Sequence, residues 1–249
     1  MPDIVTTLRN AGCVFAEDEA RLLTEAAGGP AELDRLVRRR VEGVPLEQLL
    51  GWAEFDGLRI VVEPGVFVPR RRTELLVTTA AAYRPGTIVE LCCGSGAVAA
   101  ALTARLGRPE VHAADVDPVA VHCARRNLPA GHLYEGDLDT PLPPRLEHRV
   151  DVLVANAPYV PTDAIALMPP EARDHEPRVA LDGGEDGLDI ARRVMAVAPR
   201  WLAPAGVVLV ETSTRQSEQL AAAAAGVGLA PRIVTDEETG GTAVVAARS

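Results

Sequence analysis

The residues whose types and spacing could carry chemistry begin with a glycine-rich stretch, Glu90-Leu91-Cys92-Cys93-Gly94-Ser95-Gly96. It follows an apolar, β-rich run at Thr87–Leu91 and precedes an Ala-rich run at Ala97–Leu106 that is typical of a helix. At such a strand-turn-helix junction, backbone N–H groups and a helix N-terminus face any bound ligand, and glycine lets the ligand approach the backbone. Glycine also serves such junctions simply by turning the chain. The stretch alone leaves both interpretations open.

An acidic residue strengthens the ligand interpretation. Asp115 ends the next predicted strand, at 110–114, and stands 19 residues beyond Gly96. Nucleoside-binding α/β folds place an acid there, which accepts hydrogen bonds from ribose hydroxyls. Asp117 precedes Pro118 and is better explained as a helix N-cap. The spacing therefore indicates a nucleoside pocket closed by Asp115.

Two further motifs follow predicted strands at 132–135 and 150–155. They are Gly136-Asp137-Leu138 and Asn156-Ala157-Pro158-Tyr159. Because the carboxyl ends of parallel strands meet at one edge of a sheet, both motifs belong beside the predicted pocket. On its own, Asn-x-Pro-Tyr is typical of an ordinary turn in which Asn bonds to the backbone. After a buried strand, next to a nucleoside pocket, it indicates a site that positions a nucleophile.

The elements that position these residues alternate between strand and helix from Thr73 onward, which predicts an α/β, Rossmann-like, doubly wound sheet. Two β-rich runs joined through Gly240-Gly241 predict a closing C-terminal antiparallel hairpin. The other predicted elements are helices at 118–127 and 217–225 and strands at 206–210, 232–235 and 242–247.

Upstream of the predicted sheet, the pattern differs. Residues 1–50 predict a small helical N-terminal domain that recognises a partner or substrate, with helices at 16–27 and 31–41. Residues 51–72 predict a β-hairpin linker that turns at Glu63-Pro64-Gly65. The catalytic domain is then expected over 73–249.

The stretch from Ala157 to Leu188 has no clean period and is rich in Pro, Gly and acids. One interpretation is a solvated surface loop. A loop of more than thirty residues inside a compact domain is usually functional or disordered, however. Its position after a buried strand, at the edge where such sheets bind ligands, favours a substrate lid.

Composition and charge exclude several classes of function. Of 249 residues, 47% are hydrophobic and 24% charged, as expected of a folded globular protein. The formal net charge of −10 opposes a surface that follows a phosphate backbone, so nucleic acid is disfavoured as a direct substrate. No apolar run reaches the roughly 20 residues of a membrane helix, and no N-terminal basic patch precedes an apolar run. We expect a cytoplasmic protein with no membrane partner.

Cys13, Cys92, Cys93 and Cys123 form no C-x-x-C pair, and no Cys/His cluster has the spacing of metal ligands. We therefore expect reduced thiols and no metal site.

The order E-L-C-C-G-S-G, A-D-V-D-P, G-D-L and N-A-P-Y resembles the class I S-adenosylmethionine-dependent methyltransferases. More specifically, P-R-R-R-T-E at 69–74 and D-H-E-P-R-V-A-L-D-G-G-E-D-G-L-D at 174–189 resemble the HemK/PrmC family. That family methylates the side-chain amide nitrogen of a glutamine in peptide chain release factors. The resemblance runs from about Val44 to the C-terminus, whereas residues 1–43 match only as a short helical domain.

The resemblance implies roles for the predicted site residues. It implies S-adenosyl-L-methionine as cofactor, with Glu90, Asp115 and Asp137 holding its amino acid, ribose and adenine portions. Asn156 and Tyr159 become the catalytic residues, and the Asn156 side-chain oxygen and Ala157 carbonyl accept the two amide hydrogens. The implied cofactor-binding set is Glu90, Cys92, Cys93, Gly94, Ser95, Gly96, Asp115, Asp137, Leu138 and Asn156, and the substrate-binding set is Asn156, Ala157, Pro158 and Tyr159.

The sequence departs from the family pattern at several positions. Cys92 and Cys93 replace the usual Gly and Thr, and Ala157 replaces the first Pro of N-P-P-Y. Arg71 and Arg72 also stand within the P-R-p-x-T-E motif. Three other functions therefore stay open: methylation of a small-molecule amide or amine, methylation of adenine in nucleic acid, and cofactor binding without catalysis. The charge of −10 argues against the second, and the third is favoured if Cys92 fills the cofactor pocket.

Overall fold

The computed structural model describes residues 3–248, so Met1, Pro2 and Ser249 of the predicted domains lie outside the described residues. Four short helices open the chain: α1 (Ile4–Asn10), α2 (Ala16–Ala26), α3 (Pro30–Val41) and α4 (Leu46–Leu50). They enclose a small core of their own, which includes Leu8, Leu23 and Leu36. The helices predicted at 16–27 and 31–41 are confirmed within one residue at each end. Pro30 begins α3, where its missing N–H costs no hydrogen bond.

A β-hairpin follows, formed by β1 (Trp52–Phe55) and β2 (Leu58–Val61). Its turn lies at Asp56-Gly57, where φ is +51° and +73°, so the turn predicted at Glu63-Pro64-Gly65 is wrong. Asp-Gly adopts these positive φ angles and joins two strands through a two-residue loop, which a Pro-containing sequence does not. Phe55 and Ile60 of the hairpin pack into the core of the large sheet.

The large sheet has seven strands in the order β5-β4-β3-β6-β7-β9-β8. The five strands from β5 to β7 are parallel, and β9 pairs antiparallel with both β7 and β8. The predicted doubly wound sheet and closing hairpin are confirmed. The strands are β3 (Thr87–Leu91), β4 (Glu110–Asp115), β5 (His132–Glu135), β6 (Val150–Ala155), β7 (Leu202–Glu211), β8 (Leu229–Asp236) and β9 (Gly241–Arg248).

Helices cover both faces of this sheet. One face packs against α5, α6 and α7, and the other against α9 and α10, each through its own apolar cluster. The sequence did not predict α9, a helix that contains Pro199. The helices are α5 (Glu74–Ala81), α6 (Ala97–Leu106), α7 (Pro118–Asn127), α8 (Pro170–His175), α9 (Asp189–Trp201) and α10 (Ser217–Gly226). Within residues 3–248, no helix is long and apolar enough to cross a membrane.

A buried ion pair joins α2 to α3. Arg40 donates from Nε and Nη2 to the two carboxylate oxygens of Glu19, at 2.6 Å and 3.2 Å, and both residues are more than nine-tenths buried. The Arg40 Nη1 atom also lies 3.4 Å from Glu171 Oε2 of α8. This guanidinium therefore links the N-terminal helices to the segment that contains α8.

We predict that Glu19→Ala lowers the free energy of unfolding by about 3 kcal/mol, because it leaves a buried guanidinium with only the partly exposed Glu171 carboxylate and the Val44 carbonyl as partners. Urea denaturation followed by circular dichroism measures the loss. Glu17→Ala on the same helix removes the exposed partner of Arg9 and should leave the midpoint nearly unchanged. Equal effects of the two substitutions would contradict the role given to the buried pair.

Candidate active site

The carboxyl edge of the parallel strands opens into a cavity of about 490 Å³. It brings together every predicted site residue except Gly96: Glu90, Cys92, Cys93, Gly94, Ser95, Asp115, Asp137, Leu138, Asn156, Ala157, Pro158 and Tyr159. Gly96 instead begins α6 with φ of +73°, and a Cβ there would lie 2.8 Å from a methyl carbon of Leu128. Its position allows α6 to pack closely against the end of α7.

Cys92 and Cys93 form the turn between β3 and α6. Cys92 has a φ of +54°, in the left-handed region that a side chain disfavours. Burial raises the pKa of both thiols well above the ordinary value, with the charges of Asp115 and Glu90 adding to the effect. The thiols are therefore neutral at physiological pH and are poor nucleophiles.

Glu90 is a buried acid near the end of β3, with 2% of its surface exposed. Its Oε2 accepts a hydrogen bond from the Ala99 N–H at 3.0 Å. Burial, with a smaller contribution from the nearby charge of Asp115, raises the pKa of Glu90 to about 8 in spite of the backbone hydrogen bonds from Ala99 and Val98. A cation bound beside this carboxyl would stabilise its ionised form.

Asp115 organises the adjacent loops. Its Oδ2 accepts from the Gly94 N–H at 2.8 Å and its Oδ1 accepts from the Asp117 N–H at 2.9 Å. Burial raises the pKa of Asp115, which these two bonds oppose. Asp117 caps α7 by accepting from the Val119 N–H, as the sequence predicted. Each Asp115 oxygen retains a lone pair for a ligand hydroxyl.

Asp137 and Leu138 follow β5 at the rim of the cavity. Asp137 is about half exposed and accepts from Arg193 Nη2 of α9 at 2.6 Å. Leu138 is buried and supplies apolar surface beside it. The pair offers one charged acceptor and one apolar contact to a flat ring.

Asn156 follows β6, and a hydrogen bond to Thr73 holds its side chain. Its Nδ2 donates to the hydroxyl of Thr73 at 3.4 Å, and Thr73 belongs to the one-turn 3-10 helix Arg71–Thr73 before α5. Among residues 3–248, the Asn156 Oδ1 atom has no hydrogen-bond partner, although the residue lines the cavity. Its oxygen is thus available to accept a hydrogen bond from a ligand.

Tyr159 lies beside a buried acid that sequence reasoning missed. Its hydroxyl donates to Glu211 Oε1 at 3.5 Å, and Arg72 Nε donates to the same oxygen at 3.2 Å. Burial raises the pKa of Tyr159 to about 12, with the Glu211 charge adding to it, so its hydroxyl stays protonated at physiological pH. The signal for Glu211 was its position directly after the apolar run Gly206–Val210, at the same edge of the sheet.

The segment predicted as a lid forms one wall of the cavity, through Met168, Ala172, Val179 and other apolar residues. Its central acid, Glu176, accepts from Arg70 Nη2 at 2.6 Å and from the Val68 N–H at 3.2 Å. These bonds fasten the segment to the stretch just before Arg71–Thr73.

The end of the same segment supports the Asn156–Tyr159 backbone. Gln216 Nε2 donates to the carbonyls of Tyr159 and Asp186, at 3.0 Å and 2.9 Å. Gly187, with φ of +76°, packs so closely that a Cβ would collide with the Tyr159 carbonyl. The segment therefore holds the site's backbone in place.

One polar cluster lies outside the cavity, on β4 and β5. The parallel register places His112 beside His132, and Glu110, His112 and His132 have potential ligand atoms within 4.8 Å of one another. Sequence spacing could not show this cluster, because strand pairing creates it. Both ring nitrogens of His112 already bond, to the Tyr134 hydroxyl and to Glu110 Oε1, each at 2.9 Å. These bonds account for the buried imidazole without a metal ion.

Comparisons with known sequences agree on one kind of enzyme. Residues 57–168 match the model of a family described as "Methyltransferase small domain". The release factor glutamine methyltransferase of Geobacter sulfurreducens is 40% identical over 189 residues, which cover 74% of this chain and 66% of the relative. That of Streptomyces coelicolor is 42% identical over 193 residues, which cover 74% and 68%. The chain spans about two thirds of the length of these relatives.

Solved structures show the same fold. A methyltransferase from Pyrococcus furiosus matches with a TM-score of 0.58 at 17% identity, covering 78% of this chain and 90% of that one. The 16S rRNA N2 G1207 methyltransferase of T. thermophilus, in complex with AdoMet and guanosine, matches with a TM-score of 0.56 at 20% identity, covering 80% and 50%. At these identities the likeness concerns the fold alone.

The positive φ of Cys92 leads to a prediction on stability. We expect Cys92→Gly to be more stable than Cys92→Ala by about 1 kcal/mol, because only glycine relieves the left-handed strain, which outweighs its greater freedom in the unfolded chain. Both variants remove the thiol, so a comparison of their denaturation midpoints isolates the backbone effect. An alanine variant at least as stable as the glycine variant would contradict it.

Proposed function

This chain belongs to the family of release factor glutamine methyltransferases, and we propose that it transfers a methyl group from S-adenosyl-L-methionine to the side-chain amide nitrogen of a glutamine in a peptide chain release factor. The observation that carries the proposal is the fixed amide of Asn156, whose Oδ1 has no hydrogen-bond partner among residues 3–248 and which lines the same cavity as Glu90 and Asp115. A cytoplasmic location and the absence of nucleic acid as direct substrate belong to the same proposal.

The cavity suits the cofactor chemically. When bound, S-adenosyl-L-methionine supplies an electrophilic methyl group on a sulfonium cation. The raised pKa of Glu90 indicates a carboxyl that lacks a cationic partner and would gain one from the cofactor's amino acid portion. Asp115 offers two lone pairs to ribose hydroxyls, and Asp137 with Leu138 offers an acceptor and apolar surface to adenine. Cys92, Cys93, Gly94 and Ser95 form the turn against which it lies.

Glutamine methylation requires orientation more than a strong base, because the amide lone pair is delocalised into its carbonyl. No histidine lines the cavity among the described residues. The Asn156 Oδ1 and the Ala157 carbonyl accept the two amide hydrogens and fix the direction of the nitrogen. Pro158 and Tyr159 pack beside the acceptor. Such positioning lowers a barrier by up to about 7–11 kcal/mol in favourable cases.

Partner recognition is assigned to the N-terminal helices, within the division 1–50, 51–72 and 73–249 predicted above. Three contacts support this assignment. Pro45 lines the cavity, Arg40 lies 3.4 Å from Glu171 in its wall, and Gln48 Nε2 donates to the Val66 carbonyl at 3.2 Å. The helices thus border the cavity and reach its lid.

The direct experiment is methyl transfer to purified release factor with radiolabelled cofactor. We expect incorporation into the wild-type factor and none into a factor whose acceptor glutamine is replaced by glutamate. A total small-metabolite extract serves as the competing acceptor. Incorporation into the extract but not into the factor would overturn the proposed substrate.

We predict that Asn156→Ala lowers kcat by about 100-fold or more, while the cofactor Kd changes by less than about threefold, because orientation is lost in the transition state. Single-turnover kinetics and titration calorimetry measure the two quantities. A near-normal kcat in a folded variant would remove Asn156 from the mechanism.

The pKa of Glu90 predicts how cofactor binding depends on pH. Below its pKa of about 8 the free carboxyl is protonated, so affinity for a cationic ligand should rise about tenfold per pH unit from pH 6 to pH 7. Calorimetry over this range measures the slope. Glu90→Gln should weaken binding and flatten the slope, and an unchanged slope in that variant would show that another group titrates.

A further inference from the structure

A chain of polar side chains leads from Asn156 into the protein. Its members are Asn156, Thr73 and Glu211, with Arg72 and Tyr159 on the Glu211 carboxyl. Glu211 is 2% exposed and Thr73 is 3% exposed. Thr73 lines the cavity, whereas Glu211 lies outside the lining. The proposed function gives Asn156 a task but leaves this buried acid without one.

Thr73 does not make the hydrogen bond that is usual for a threonine at its position. It stands at the N-cap of α5, where a threonine hydroxyl ordinarily accepts from a backbone N–H of the first turn. Here its side chain makes no capping hydrogen bond. Its hydroxyl oxygen accepts from Asn156 Nδ2 instead, and its hydroxyl proton remains to be donated.

Glu211 offers an acceptor for the hydroxyl proton of Thr73. Its Oε1 accepts from Arg72 and Tyr159, whereas its Oε2 is buried and has no partner in the part of the chain described. Burial raises the pKa of Glu211, and the Thr73 side chain opposes this effect. Thr73 directly follows Arg72, which bonds to Glu211, so its hydroxyl lies beside the carboxylate whose Oε2 is unpartnered among residues 3–248.

The row of polar side chains from Glu211 through Thr73 fixes the orientation of the Asn156 amide. An ionised carboxylate can only accept, so Thr73 must donate to Glu211 and accept from Asn156, and Asn156 must turn its Nδ2 inward. We propose that Glu211 is a positioning residue that, through Thr73, fixes the Asn156 amide so that its Oδ1 faces the substrate amide. The inference rests on the proposed function, in which Oδ1 is the acceptor that matters.

The test replaces the acceptor by a group of the same shape that also donates. In Glu211→Gln, the new amide can donate to Thr73, Thr73 can then donate to Asn156, and Asn156 can flip to present Nδ2. We expect kcat for a release-factor peptide to fall about 10- to 100-fold while cofactor Kd stays within about twofold. Thr73→Val should lose a similar factor, and Thr73→Ser should recover most of it.

The double variant Glu211→Gln/Thr73→Val should be no slower than the slower single variant, because both substitutions interrupt the same row of hydrogen bonds. Glu238→Gln is the matched control, since it removes an exposed partner of Arg71 in the same motif and should leave kcat unchanged. If Glu211→Gln does not fold, as judged by thermal unfolding, the comparison of Thr73→Val with Thr73→Ser tests the inference.

Several results would overturn the inference while leaving the proposed function intact. These are a normal kcat in folded Glu211→Gln or Thr73→Val, equal losses in Thr73→Ser and Thr73→Val, or additive losses in the double variant. Wild-type protein that does not methylate release factor would instead overturn the proposed function itself. The wild-type measurement therefore separates the two failures.

Discussion

The register of the parallel strands is the constraint on which the rest of the site depends. Leu91 of β3 pairs with Ala114 of β4 and with Ala155 of β6, and Ala155 pairs with Val210 of β7. The next position along each strand therefore lies at one level of the sheet, and these positions hold Cys92, Asp115, Asn156 and Glu211. A slip of one residue in any pair would move one of these side chains away from that level.

Around this edge the protein buries several carboxyl groups in surroundings of low polarity. Burial raises the pKa of Glu90, Asp115 and Glu211. Arg72 bonds to Glu211, whereas no arginine of residues 3–248 pairs with Glu90 or Asp115. Glu90 and Asp115 thus remain without a cation from the protein, on the side where the turn before α6 admits a ligand. The arrangement divides the cavity into a part that favours a cationic cofactor and a part, at Asn156, that favours a neutral amide.

Much of the fold followed from local sequence patterns. The strands at 87–91, 132–135 and 150–155 and the helices at 97–106 and 118–127 lie where the hydrophobic periods predicted them. The hairpin turn was misplaced, because Glu63-Pro64-Gly65 and Asp56-Gly57 both have turn composition and only pairing between β1 and β2 decides between them. Helix α9 was missed because Pro199 interrupts its pattern.

The site was predicted where each residue follows its own strand, as Asp115 and Asn156 do. Glu211 was not predicted, and Thr73 was noted only as part of P-R-R-R-T-E, without a role. Their roles come from contacts distant in sequence: Thr73 with Asn156 across 83 residues, and Arg72 with Glu211 across 139. The role of the Asn156 amide is tested most directly by a crystal structure with a glutamine peptide and the demethylated cofactor. We predict that the glutamine side-chain nitrogen lies about 2.9 Å from both Asn156 Oδ1 and the Ala157 carbonyl oxygen. A peptide glutamine bound elsewhere, or one whose carbonyl accepts from Asn156 Nδ2, would contradict it.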